Sequence, residues 1–321
     1  MAIAQSLRAL LGTGQFREAL ARYHEIAEEP EGRRPDVQLL AASAATRLGE
    51  LVEAAALAEA ALVQFRKRGD RDGSMRALNL LGAIHWERGQ MPEAESCFAE
   101  ALRVARQLDD SLMLARASNN LASVAHLHGR FDEAAGLYRG ALLAHQRLGD
   151  RRGTAETYHN LGLAYRQAGD WHQAEDAAAD AVRHAEVVGE PALLALALTG
   201  RAELSIERDD PALAQHELER AGRLAAQAAD EIGGAEVHRV RALAALLQED
   251  WLLALEHAEE ARRVALKYGS ALLAAECAGI AARALGALGR VEEATERKTE
   301  AETGFRRLGA TTLLERLQRG T

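Results

Sequence analysis

An alanine recurs every 40 residues along the chain, at Ala54, Ala94, Ala134, Ala174, Ala214, Ala254 and Ala294. A second follows each one seven residues later, at Ala61, Ala101, Ala141, Ala181, Ala221, Ala261 and Ala301. Packing inside a single core does not keep such a count. One supersecondary unit stacked on copies of itself does, because every copy meets the same neighbours. The first copy departs from the pattern, with Ala19 and Ile26 at the paired positions. Such an array grows by adding units, so 321 residues do not imply two globular domains. The expected organisation is a single array over 1–321. It has an atypical N-terminal repeat and loop (1–35), seven 40-residue repeats (36–309) and a C-terminal capping helix (310–321).

Each unit reads as two helices. Apolar residues make up 48% of the chain, mostly Ala and Leu, and only five residues are proline. No stretch alternates with period two, so no strands are expected. One series of marks, Gly14, Gly49, Gly89, Gly129, Gly169, Asp209, Glu249 and Gly289, precedes the second helix of each unit. A second series, Gly69, Asp109, Gly149, Gly189, Ala229, Gly269 and Gly309, closes each unit. Both fall where a helix ends in a left-handed residue. Between them, Leu114, Ala117, Leu121, Val124 and Leu127 mark one amphipathic helix over 111–128, and Ala134, Leu137, Tyr138, Ala141 and Leu142 mark the next over 131–148. A short turn between antiparallel helices makes an αα-hairpin. The alanines sit where helices cross and backbones must approach. At the termini, 3–11 predicts a short helix, Glu29–Pro35 a longer loop, and 311–318 a final helix.

Tyr158-His159-Asn160-Leu161-Gly162-Leu163-Ala164-Tyr165, followed by Gly169-Asp170-Trp171, Ala174 and Ala181, resembles the tetratricopeptide repeat (TPR) signature. Leu78 to Gly82 with Ala94, Phe98 and Ala101 is similar, as is Phe131 to Ala134 with Tyr138 and Ala141. The resemblance implies an all-α right-handed TPR superhelix of about eight antiparallel hairpins. The period of 40 rather than 34 lengthens both helices by about a turn. That looks like the class found in kinesin light chains, Leu-Gly-Asn adaptors and bacterial TPR sensors, whose members bind extended peptides or partner proteins on the concave face. The later units are degenerate: Arg201 and Arg241 replace the signature leucine, and Ala258 and Lys298 replace the large aromatic.

No catalytic pattern is present. The eleven histidines are scattered, and His126 and His128 point to different sides of a helix, so no metal ligand pair is expected. No HExxH, GxSxG or phosphate-loop motif occurs. The reading is therefore a non-enzyme without cofactor or metal. A net charge of −9 disfavours nucleic acid. No run of about 18 apolar residues spans a membrane. Arg8 interrupts the first apolar stretch, which makes a poor secretory leader. Cys97 and Cys277 read as buried free thiols in a reducing compartment, so the expected location is the cytoplasm. The Ala-, Leu-, Arg- and Gly-rich composition looks bacterial.

In the family, one stripe of each first helix faces the groove. Here it reads Arg76, Asn79, Ala83 and Trp86, then Arg116, Asn119, Asn120, Ser123 and His126, then Glu156, His159, Asn160, Leu163 and Arg166. Asn donates and accepts toward a peptide amide at once, and Arg forks onto carboxylates. The candidate groove residues are Arg76, Asn79, Trp86, Arg116, Asn119, Asn120, Ser123, His126, His159, Asn160 and Arg166, with the asparagines expected to face solvent. The plainer alternative has Asn120 and Asn160 bridging neighbouring helices. Later units turn acidic and apolar at Thr199, Glu203, Glu207, Glu236, Arg239, Leu243, Leu246 and Leu247. The expected role is a protein-interaction scaffold binding an extended peptide or partner segment. The alternatives are a ligand-responsive regulatory module and a homo-oligomer stacked through its terminal repeats.

Overall fold

The computed structural model describes residues 2–319. Residue 1 of the atypical repeat and residues 320–321 of the capping segment lie outside the described residues. Seventeen helices and no strands are present among the described residues. The chain divides into two compact units, with the boundary between Val124 and Ala125.

The first unit holds α1 (Ala2–Gly12), α2 (Phe16–His24), α3 (Pro35–Arg47), α4 (Leu51–Lys67), α5 (Arg71–Glu87), α6 (Met91–Leu108) and most of α7 (Ser111–Leu127). Helical turns and bends fill 25–34, so the predicted Pro-rich loop is a connection between α2 and α3. Each pair α3–α4 and α5–α6 forms an antiparallel hairpin stacked on the next. The signature glycine explains how closely they pack. A Cβ on Gly82 of α5 would lie 2.5 Å from the Phe98 ring of α6.

The second unit continues with α8 (Phe131–Leu148), α9 (Arg151–Ala168), α10 (Trp171–Val188), α11 (Pro191–Glu207), α12 (Pro211–Gln227), α13 (Glu231–Leu247), α14 (Trp251–Lys267), α15 (Ala271–Ala287), α16 (Val291–Leu308) and α17 (Thr311–Arg319). Its core is a series of alanine-rich seams, one of them joining Ala181, Leu198, Ala221 and Val237.

The periodic alanines are buried at the helix crossings, as their spacing requires. Ala94, Ala134, Ala174, Ala254 and all of the second series are fully buried. Ala294, on the last complete hairpin, is only half-buried. The turn marks adopt the left-handed conformation in both series. Asp109, Asp209, Ala229 and Glu249 do so with side chains, at φ of 52°, 60°, 52° and 59°. A second period-40 device is one that the alanine count does not reveal. Asp70, Asp110, Asp150 and Asp230 cap helix N-termini by accepting from the amide three residues on.

Candidate binding groove

In the first unit, α1, α3, α5 and α7 line one cleft of about 680 Å³. Leu39, Leu40, Leu80 and Ala83 give it apolar surface, and its polar lining mixes Arg8, Arg76, Arg116 and Asn79 with Asp36, Asp70, Asp72 and Asp110. Asp36 and Asp72 pair with Arg34 and Arg76, and Asp70 and Asp110 cap helices. Arg76 and Asn79 lie one turn apart on α5, and Arg116 repeats the Arg76 position on α7, so the 40-residue period carries them onto one face. Arg76 is exposed but pairs with Asp72 one turn earlier. Arg116 is exposed and forms no ion pair among the described residues. Asn120 is half-buried and its amide donates to Asn79 Oδ1 at 3.2 Å. The two asparagines therefore bridge neighbouring repeats, which corrects the expectation that Asn120 faces solvent. Ser123 Oγ donates to the Asn119 carbonyl at 3.1 Å. Trp86 is half-buried and stands outside the residues that line the cleft.

The second unit uses the same helix face differently. Arg166 on α9 is 8% exposed and meets Glu203 on α11 at 2.9 Å and Glu207 at 3.7 Å. Glu203 also accepts from both terminal nitrogens of Arg239 on α13, at 3.1 and 2.9 Å. Arg239 continues to Glu236 at 2.8 Å and to Glu276 on α15 at 3.8 Å. Four successive first helices are thus laced by one charge ladder. Burial by itself raises the Glu203 carboxyl, but Arg166 and Arg239 together hold it well below the usual range. Among the described residues Glu276 meets only Arg239 directly, and Arg166 acts on it more weakly. Burial pushes it up to about 7, with Glu236 and Glu203 adding to the rise against Arg239. Arg166 is a member of this ladder rather than an open cation.

The other sequence candidates in this unit are also packed. Burial lowers His126 to about 4, helped by Arg166, and its ring meets Phe131 edge-on at 5.4 Å. Burial lowers His159 to about 4 as well. Its ring fills the space that a Cβ on Gly200 would occupy, 2.5 Å from Nδ1. Asn160 is half-buried. Thr199 is buried and bonds the Ala195 carbonyl, and Leu246 is core, whereas Leu247 is exposed. The ladder could not be read at the 40-residue period. Adjacent first helices are staggered, so Glu203 and Arg239 meet 36 residues apart.

The C-terminal helix covers part of this face. Leu317 lies against Gly279 of α15, and Thr312 against Gly129 in the α7–α8 turn. Arg316 acts electrostatically on both His126 and Glu207. Of the two units, the first keeps its groove open. Among the described residues, no cluster of three or more His, Cys, Asp or Glu side chains has the geometry to hold a metal ion. No described helix is long and apolar enough to cross a membrane. Burial raises the thiols of half-buried Cys97 and buried Cys277.

The tetratricopeptide repeat profile matches three overlapping stretches, residues 34–107, 73–142 and 113–186. No curated protein matches the sequence. The chain is similar to a Rap protein complexed with competence and sporulation factor, at 14% identity and a TM-score of 0.67, over 94% of this chain and 81% of that one. It is similar to the apo quorum sensor NprR from B. thuringiensis, at 14% identity and a TM-score of 0.71, over 94% and 86%. It is also similar to the Rap conjugation gene regulator of the plasmid pLS20 in complex with the Phr* peptide, at 15% identity and a TM-score of 0.60, over 99% and 95%. At these identities the likeness is one of fold.

Proposed function

Because this chain is a tetratricopeptide repeat protein, we propose that it acts by recognition, binding an extended peptide or partner segment in the first-helix groove of its first unit. The carrying observation is the cleft of about 680 Å³ with apolar surface, in whose mixed charged lining Arg116 of α7 is an exposed cation without an ion pair among the described residues. An extended segment buries alternate side chains on Leu39, Leu40 and Leu80. Arg116, which has no internal carboxylate, selects an acidic side chain or C-terminal carboxylate. The solved structures with bound peptide or factor support this reading by analogy of fold.

A regulatory version of the same reading has its own support. The α17 contacts with the α7–α8 turn and α15 give the second unit an element that a ligand or partner displaces. The test is to pan a random linear peptide library over the immobilised protein. Selection of acidic peptides with apolar residues at alternate positions supports the proposal. Failure to enrich any family of peptides, while a folded partner from the native host is retained, sinks it.

A further inference from the structure

The signature leucine of the earlier units, Leu81, Leu121 and Leu161, is buried in the seam between helices at 3%, 8% and 3% exposure. Arg201 and Arg241 stand in the same register one and two repeats later. An arginine placed in such a seam needs a partner for its charge. Arg201 has one. It pairs with Glu217 of α12, which is 1% exposed. Forty residues on, the place of Glu217 is taken by His257 of α14. Arg241 forms no ion pair among the described residues, and its Nη2 donates to the Leu218 carbonyl at 3.1 Å.

His257 faces His238 instead, Nδ1 to Nδ1 at 3.1 Å. One ring donates and the other accepts, so at least one of the two is neutral. Burial lowers both, and the neighbouring Arg241 lowers them further. The space beside this unmatched guanidinium is open on two sides. One cleft of about 470 Å³ has Leu218, Ala244, Ala245, Leu253 and His257 in its lining together with Arg241. A second, of about 600 Å³, shares Arg241 and is lined by Gly222, Ala225, Val237 and His238. Gly222 leaves room for the arginine, since a Cβ there would lie 3.1 Å from Nη2.

We propose that Arg241 anchors a second binding site, built by α12, α13 and α14, for a small monocarboxylate with an apolar body. The carboxylate supplies to Arg241 the negative charge that Glu217 supplies to Arg201, and the apolar body lies along Leu218, Ala245 and Leu253. Glu219 and Asp209 stand exposed at the margin of the smaller cleft. They oppose phosphates and other polyanions but tolerate a single charge directed at Arg241. This site involves none of the groove residues of the first unit, so it stands or falls separately.

Sodium octanoate is the probe, titrated calorimetrically into the parent protein, with octanol as the uncharged control. Octanoate should bind at least tenfold more tightly than octanol. Arg241→Leu restores the residue that earlier units place in this seam. It should fold, as a melting curve will show, and lose octanoate affinity at least tenfold. His257→Glu gives Arg241 an internal carboxylate, as Glu217 does for Arg201, and should lose affinity by a similar factor. Absence of octanoate binding by the parent, equal binding of octanol, or parental affinity in both variants would overturn the proposal.

Discussion

Single residues carry the repeat through their size. Ala134 is fully buried at a helix crossing. Ala134→Leu should cost about 1–3 kcal/mol through overpacking, read as a lowered urea midpoint; a parental midpoint would place the crossing elsewhere. Ala229 shows the opposite situation. It holds a φ of 52° that strains a residue with a Cβ, and sister positions such as Gly149 use glycine. Ala229→Gly should stabilise the protein by up to about 1 kcal/mol. Glu276 gives a pH signature. Its folded value of about 7 exceeds the ordinary value of 4.5. Between those values the folded state keeps a proton that the unfolded chain has released, so this group weakens the fold as pH rises from 4.5 through 7. Glu276→Gln should therefore stabilise more at about pH 8 than at about pH 5 in paired urea melts; an equal effect at both would contradict the raised carboxyl. His126 and His159, both lowered from 6.5 to about 4, act the other way. Their contribution is present above 6.5 and is lost as pH falls toward 4. Comparison of variant with parent cancels it.

At the scale of elements, the helices are legible because a 3.6-residue stripe and a left-handed stop recur with each unit. The aspartate caps are less conspicuous, although Asp70-Gly73, Asp150-Gly153 and Asp230-Gly233 repeat in step with the alanines. A cap is one polar residue in a polar turn, and only its bond to the amide three residues on distinguishes it from its neighbours. The charge ladder is hidden for a different reason. Its members lie on separate first helices and meet out of phase with the repeat. Arg166 and His159 carry groove-type chemistry in sequence, yet tertiary packing consumes both. The covering helix α17 is readable as a helix, from Leu313, Leu314 and Leu317, but its contact with the α7–α8 turn is not. Deleting residues 311–321 should lower the melting temperature and speed amide exchange in α15 and α16, the neighbours of α17. Exchange should also speed at Gly129, far away in sequence, because Thr312 lies against it. Unchanged exchange at that turn would contradict the closure of the second unit by its own C-terminal helix.

For the whole molecule, the 40-residue alanine count implies one unit stacked on copies of itself, and the Leu161-Gly162 type of signature likens that unit to a TPR hairpin. It says much less about the ligand. Repeat architecture constrains which helix face is shared, whereas the identity of a partner rests on a few side chains that a repeat is free to vary. Of the sequence candidates, Arg76, Asn79 and Arg116 line an open cleft, Asn120 braces Asn79, and Arg166 is neutralised internally. The central claim is that the cleft in the first unit holds an acidic extended segment. Its most direct test is to titrate one library-selected peptide against the parent, Arg116→Glu and Arg139→Ala. Arg139 is an exposed residue of α8 that donates to Tyr165 and is not among the residues that line the cleft. Loss of a charge-assisted hydrogen bond costs about 1.5–3 kcal/mol, and reversing the charge adds repulsion. The account predicts at least a tenfold loss of affinity for Arg116→Glu, shrinking at high salt, and parental affinity for Arg139→Ala. Equal affinities for all three proteins would contradict it.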